Sequence, residues 1–168
     1  MAEELESAPP FHIRRATLAD AGAVSQVAAT VQQLHFERDP TTFQPPDVEA
    51  GVAWYRELLA RPDTVAFLAE SDAGAPMGHV LTIARSIPVA AHFTHPQEYV
   101  EVQEIGVLPA HRGTGVGRAL HQRAVAHWRA AGVTELRLTV IAFNDGARRF
   151  YEGLGFVERS RKLSLRLE

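Results

Sequence analysis

Residues 99–120, YVEVQEIGVLPAHRGTGVGRAL, constrain the fold of this chain more than any other stretch. A strand-like run, Tyr99 to Val107, passes through a short turn into a glycine-rich loop, and a helix begins near Val116. Such a passage gathers backbone N–H groups at one spot, with the positive end of a helix dipole behind them. That combination is an anion site. In Arg112-Gly113-Thr114-Gly115-Val116-Gly117, the residues Gly113, Gly115 and Gly117 allow backbone angles that others avoid and keep side chains away from a ligand. Arg112 and Arg118 flank the loop with positive charge. Taken alone, the same glycines also suit a flexible connection. Two familiar phosphate loops are excluded. No Gly-Lys-Ser/Thr follows, and the dinucleotide pattern would need glycine where Arg118 stands.

The strand ahead of the loop breaks its own period. Val100 and Val102 stand two apart, as do Ile105 and Val107, yet three positions separate the pairs. One extra residue near Gln103 or Glu104, a β-bulge, restores the phase. It also places Glu101 and Glu104 together on the face away from the core and frees backbone groups just before the glycine loop. The alternative is that the strand ends there and re-enters as a turn.

The rest of the chain reads as alternating elements. His12 to Ala16 is a short strand. Thr17 with Asp20 forms an acidic capping box for a helix over roughly 18–35. Asp47 caps a second helix with Val48, Val52, Tyr55 and Leu59 on one face. Thr64 to Glu70 and Met77 to Ile87 form a hairpin around Gly74. After the stretch already described come a helix from Val116 to Ala131, a strand through Leu136, Leu138 and Val140, a short helix from Asn144 to Gly153, and a last strand carrying Leu163, Leu165 and Leu167. The order β-α-α-β-β-β-α-β-α-β makes an α/β mixed sheet with helices on its faces. One domain is expected over 11–168, behind a flexible tail at 1–10.

Composition narrows the function. A net charge of -3 gives no reason to expect nucleic acid or an anionic membrane as partner. With no cysteine, thiolate catalysis and disulfides are excluded. No apolar run approaches a membrane span, and the acidic start MAEELESAPP is unlike a signal peptide, so a cytoplasmic protein is expected.

About thirty residues beyond the glycine loop come Asn144, Ala147, Phe150-Tyr151 and Leu154-Gly155-Phe156. Together with Ile105-Gly106-Val107 and Arg112-x-x-Gly115-x-Gly117, these resemble the acyl-CoA signature and C-terminal motif of the GNAT N-acetyltransferase superfamily. The resemblance covers about residues 12–168, and only in pattern over the N-terminal half. It implies an acyltransferase using acetyl-CoA as cosubstrate. The backbone of Ile105, Gly106 and Val107 would bind the pantetheine arm. Amides of Arg112, Gly113, Thr114, Gly115, Val116, Gly117 and Arg118 would wrap the diphosphate. Asn144 would hydrogen-bond the pantetheine region, and Tyr151 would protonate the leaving thiolate. Gly153 departs from the family, which often has a basic residue there. The family has no single position for its general base.

The residues themselves supply a mechanism for that chemistry. An alkyl amine with a pKa near ~10 is mostly protonated at neutral pH and needs a base. Glu104 is the first candidate and Glu101 the second, because the bulge places both on the cleft face; the alternative for both is a solvated strand face. Tyr151 could equally pack in the core, and Asn144 could cap its helix. Bulge amides such as that of Val107 would stabilise the oxyanion. No histidine pair has metal-ligand spacing, so no metal is expected. His92, His95, Phe36, Phe43, Trp54 and Tyr55 are candidates to line the acceptor pocket, built from residues 34–56 and 86–98. The acceptor is a primary amine, on a small molecule or a polypeptide N-terminus. A homodimer through the last strand is open, as is a catalytically idle acyl-CoA sensor or scaffold, or a diphosphate-binding module of another fold.

Overall fold

In the computed structural model, which describes residues 10–87, 95, 97–165 and 167, the elements follow the expected order as far as residue 152. They are β1 (Phe11–Arg15), α1 (Ala21–Arg38), α2 (Val48–Ala60), β2 (Thr64–Ser71), β3 (Pro76–Ile87), β4 (Gln97–Val107), α3 (Val116–Ala130), β5 (Leu136–Arg137) and α4 (Asp145–Glu152). The chain divides into two compact units, Met1–Leu138 and Thr139–Glu168.

The first unit holds a sheet of order β1-β2-β3-β4-β5. Its first four strands are antiparallel neighbours, and β5 joins β4 in parallel. Both faces are covered, so β2 is buried without interruption from Thr64 to Ala69. On one face Val65, Phe67, Val80, Val100 and Val102 pack under Val116, Leu120, Ala124 and Trp128 of α3. On the other, Ala66, Leu68, Leu81 and Ile83 meet Val24, Ala28, Tyr55 and Leu58 of α1 and α2. The stripe of α2 therefore runs through Leu58, which the spacing did not single out, while Val48 is exposed. Gly51 leaves room for Ser25 of α1, whose hydroxyl donates to the Val48 carbonyl at 2.7 Å.

The start of α1 differs from the expected single helix. Leu18–Asp20 forms a 3-10 turn, and the α-helix proper runs from Ala21 to Arg38. The Asp20 carboxylate accepts from the Thr17 N–H at 2.7 Å, as the capping box requires. It is also gripped by both Arg14 guanidinium NH2 groups, at 2.9 and 2.7 Å, and Arg14 reaches on to Glu70 of β2. These bonds, those from Arg14 above all, hold Asp20 and Glu70 below the usual carboxylate range. Their contribution to stability is complete at neutral pH and is lost as pH falls through those depressed values.

A buried polar chain ties the sheet to α3. Trp128 Nε1–H donates to Thr82 Oγ1 at 2.8 Å, and Thr82 Oγ1–H donates to the Val65 carbonyl at 2.6 Å. Thr82→Val keeps the shape but leaves the indole N–H without an acceptor. The expected cost is about 1–3 kcal/mol, read as a lower urea midpoint with an unchanged m-value.

Among the described residues the last strand is not formed. Residues 161–165 and 167 carry no strand, and Leu163, Leu165 and Leu167 are 84–90% exposed. Alternating apolar residues define a face, but a strand also needs a neighbour to pair with. The preceding strand is likewise short: only Leu136 and Arg137 pair with β4, not the whole run to Val140.

Candidate active site

The expected bulge lies in β4. Leu81 pairs with Glu104 and Thr82 with Val102, so Gln103 is the extra residue, and its side chain is exposed. The phase is thereby restored: Val100, Val102, Ile105 and Val107 all pack on the α3 side. Glu101 and Glu104 share the other face, as the period argument required. At Glu104, however, that face is not open to solvent: Tyr55 of α2 reaches over it.

The two glutamates consequently have different surroundings. Glu101 is ion-paired with Arg85 at 2.6 Å. Arg85 lines a cleft of about 560 Å³ with Asp63, Glu98, Tyr99, Gly132 and Thr134, at the N-terminal end of β4. Glu104 sits deeper, with its side chain 19% exposed. Its Oε2 accepts from the Tyr55 hydroxyl at 2.8 Å, and its Oε1 lies 3.2 Å from His79 Nε2 in an off-line contact. Burial by itself pushes the Glu104 carboxyl upward. The contact and charge of His79, the Tyr55 bond and the nearby His35 outweigh burial and bring it below the usual range. Glu104 is therefore ionised at neutral pH, which a general base must be. Tyr55 shifts the other way: burial, then the Glu104 charge and bond, hold its hydroxyl protonated.

His79 was not foreseen. It is fully buried on β3, opposite Gly106 in the ladder. A side chain at Gly106 would begin 3.1 Å from His79 Cε1 and 2.9 Å from Val27 Cγ1, so the imidazole fills the space that only glycine leaves. In the sequence the one hint was a lone histidine within an apolar strand, Met77 to Ile83.

Beyond the bulge, β4 has an open edge. Its pairing with β5 ends at Glu101, and among the described residues no strand pairs with that edge from Val102 to Val107. The edge leads directly to the glycine loop. Leu108 N–H is held by the Met77 carbonyl at 2.9 Å, a 3-10 turn follows at Pro109–His111, and the Thr114 hydroxyl donates to the His111 carbonyl at 2.7 Å. Gly113 and Gly115 have φ of 78° and 90°, the left-handed region that favours glycine. Gly117 does not: it lies in the first turn of α3 with helical angles, correcting the expectation for that position. The first bond of the helix is Ala119 N–H to the Gly115 carbonyl, so the N–H groups of Val116, Gly117 and Arg118 lie ahead of the ladder. Arg112 and Arg118 are exposed beside them, with Arg112 Nε donating to the Val107 carbonyl at 3.1 Å.

Asn144 and Tyr151 belong to the second unit. Asn144 caps α4, its Oδ1 accepting from Ala147 N–H at 3.0 Å. The cap uses only the oxygen of that side chain. Past α4, Gly155 has φ of 94°, Gly155 N–H bonds the Glu152 carbonyl and Phe156 N–H bonds the Tyr151 carbonyl. This is a Schellman closure, whose usual apolar contact here joins Phe156 to Tyr151, with ring centroids 5.6 Å apart. Phe150 flanks the same ring at 5.2 Å. The Gly155-Phe156 pair thus fixes the half-buried phenol. Of the proposed acceptor residues, Phe43 stacks on His35 with centroids 5.0 Å apart, Trp54 is 47% exposed beside Tyr55, His95 is exposed, and His92 lies outside the described residues. Among the described residues no cluster could hold a metal ion, and no helix is long and apolar enough to cross a membrane.

A family model for the acetyltransferase (GNAT) family matches residues 28–156, well over half of the chain. The chain belongs to that family. The match spans the bulged strand, the glycine loop, Asn144 and Tyr151, and bears out the acyltransferase class that the motifs implied. A mycothiol acetyltransferase of Frankia casuarinae is 37% identical over 61% of this chain and 30% of its own length. An uncharacterised N-acetyltransferase of Methanocaldococcus jannaschii is 33% identical over 63% of this chain and 45% of its own. This GNAT chain thus spans less than half the length of either relative. Among solved structures, a tetramutant of the BH1408 protein from Bacillus halodurans has a TM-score of 0.86 at 20% identity, covering 93% of this chain and 99% of that one. An aminoglycoside N-acetyltransferase, AAC(6')-Iy, in complex with CoA has a TM-score of 0.73 at 20% identity, covering 97% and 98%. Both likenesses show the GNAT fold.

Proposed function

We propose that this chain, acting as one catalytic domain, transfers the acetyl group of acetyl-CoA to a primary amine by direct attack in a ternary complex. The observation that carries the reading is the continuity of the open β4 edge with the N–H cradle at the start of α3, with the Glu104 carboxylate of that strand held by Tyr55. An extended pantetheine arm adds to the free strand edge as a peptide strand would. The diphosphate takes the amides from Arg112 to Arg118, and the Asn144 NH2 supplies a further donor.

Glu104 removes a proton from the bound ammonium, directly or through one water. The neutral nitrogen attacks the thioester carbonyl carbon, and backbone N–H groups such as that of Val107 take the oxyanion. The intermediate then expels the thiolate, which Tyr151 protonates; the surplus proton on the nitrogen reprotonates Tyr151 through water, and the proton on Glu104 returns to solvent. Glu101, tied to Arg85 at the other end of the strand, is the weaker candidate for base. The names mycothiol acetyltransferase and aminoglycoside N-acetyltransferase belong to those proteins; for this chain the acceptor class is a primary amine on a small molecule or a polypeptide N-terminus.

A thermal-shift titration together with an amine panel tests the reading. Acetyl-CoA at about a hundred times its Kd adds ~2.7 kcal/mol, a rise in Tm of about 5–10 °C for a chain of this size. No shift at millimolar acetyl-CoA removes the CoA reading. Released CoA is scored with a thiol reagent, to which a chain without cysteine adds no background. Turnover with at least one of the amino sugars, aminoglycosides, polyamines and short peptides is expected, slower in Tyr151→Phe with acetyl-CoA binding unchanged. A thermal shift without turnover across the panel favours an acyl-CoA sensor or scaffold.

A further inference from the structure

A fully buried histidine needs a reason. His79 has no exposed surface, and neither its Nδ1 nor its Nε2 makes an in-line hydrogen bond among the described residues. Burying an imidazole so poorly satisfied costs more than burying a leucine in the same space. With Val27 it also crowds the facing strand at Gly106, where a Cβ would lie 2.9 Å from Val27 Cγ1 and 3.1 Å from His79 Cε1. Among the described residues the one polar group near its Nε2 is Glu104, at 3.2 Å. Tyr55, from α2, presents the same pattern. It is buried in the apolar layer between α2 and the sheet, and its hydroxyl goes to the other oxygen of Glu104 at 2.8 Å. The Tyr55 and His79 rings meet edge to face with centroids 6.1 Å apart, so each limits the other's rotation.

We propose that His79 and Tyr55 are positioning residues that grip the Glu104 carboxylate from two sides, one oxygen each, and hold it aimed at the acceptor amine. This rests on the reading of Glu104 as the base. While Glu104 is ionised, Nε2 carries hydrogen, because two lone pairs facing each other at that distance would repel. Tyr55 donates to Oε2 and His79 to Oε1, which leaves a free lone pair on the partly exposed carboxylate for the ammonium proton or a bridging water. The off-line geometry at His79 suits a contact that tightens when substrate is bound.

The groups facing Glu104 are His79 from β3, Tyr55 from α2 and His35 from α1. Because burial alone drives this carboxyl upward, removing either donor lets burial prevail. In wild type, a 13C-carboxyl NMR titration of the Glu-labelled protein is expected to place Glu104 below the ordinary glutamate value. Tyr55→Phe and His79→Leu are expected to move it upward by about one pH unit or more. The acidic limb of kcat/KM, measured with acetyl-CoA and the fastest amine of the panel, moves by the same amount. Activity in both variants recovers to within a few-fold at high pH. His79→Gln, which keeps an N–H donor near the place of Nε2, restores most of the limb. If Tyr55→Phe and His79→Leu lower activity equally at every pH, with the Glu104 titration unmoved, the two residues merely pack and the proposal is overturned. Should His79→Leu fail to fold, Tyr55→Phe alone decides in the same way. Glu104→Gln separates the two levels. Full activity there removes the base itself, whereas lost activity there with unmoved limbs in the other variants removes only the grip.

Discussion

Glu104→Gln is expected to lower kcat/KM for acetyl transfer to an alkyl amine by about a thousandfold at pH 7. Two independent estimates agree on that size. Loss of a positioned general base costs about 10²–10⁴ in rate. A variant without a base must wait for the free amine, which at pH 7 is about a thousandth of an amine with pKa near 10. The sign of the pH dependence follows from the same argument. Wild-type Glu104, held below the usual carboxylate range, stays ionised across the neutral region, so its rate is flat there. The variant should gain about tenfold per pH unit as the free amine grows, and the deficit is therefore largest at low pH. Glutamine matches the shape and keeps an acceptor for the Tyr55 hydroxyl, so Tm should fall by only a few degrees. Acetyl-CoA affinity should not change, since Glu104 faces α1 and α2 rather than the glycine loop. A pH profile of kcat/KM with a parallel thermal melt checks all three, and a uniform loss at every pH would argue against Glu104 as the base. The same profile for Glu101→Gln should stay close to wild type.

Gly78→Ala carries the largest expected structural penalty for a single methyl group. A Cβ there would lie 2.7 Å from the Gly106 carbonyl oxygen and 3.2 Å from Leu120 Cδ1 and Val116 Cγ1. The oxygen belongs to the backbone of β4 and cannot swing aside, so the two strands must part or the pair of glycines must shift. Overpacking of this kind costs about 1–3 kcal/mol, or roughly 3–10 °C in Tm at this chain length. The displaced backbone is Gly106-Val107, the edge proposed to hold pantetheine, so acetyl-CoA binding should weaken along with stability. Gly22→Ala is the contrast. Its Cβ would meet nothing within 4 Å, and alanine in a helix gains about 0.5–1 kcal/mol over glycine. Paired melts with calorimetric titration of acetyl-CoA separate the two. A stable, tightly binding Gly78→Ala variant would show that β3 and β4 are not locked together at this point.

Much of the site could be read along the chain because its determinants are local. Gly113 and Gly115 take left-handed angles, Asn144 caps the helix that begins at the next residue, and Gly155-Phe156 closes that helix onto Tyr151. The bulge was legible for the same reason, since a three-residue gap between two valine-like pairs has no other cure in a continuous strand. Where a feature depended on a neighbour, local pattern fell short. Leu163, Leu165 and Leu167 alternate correctly and still form no strand. Glu101 and Glu104 were expected on a cleft face, with a solvated strand face as the alternative, and nothing in β4 says that Tyr55 of α2 reaches over Glu104.

What the sequence by itself determined is the loop proposed to hold the cofactor: an N–H cradle built by backbone angles within a few residues. What only the tertiary structure decided is the surroundings of Glu104, the proposed base. Tyr55 reaches Glu104 from 49 positions away, and His79 comes from the neighbouring strand. A carboxylate's charge at a given pH is set by the balance between burial and the donors around it, and that balance exists only once distant segments have packed against each other.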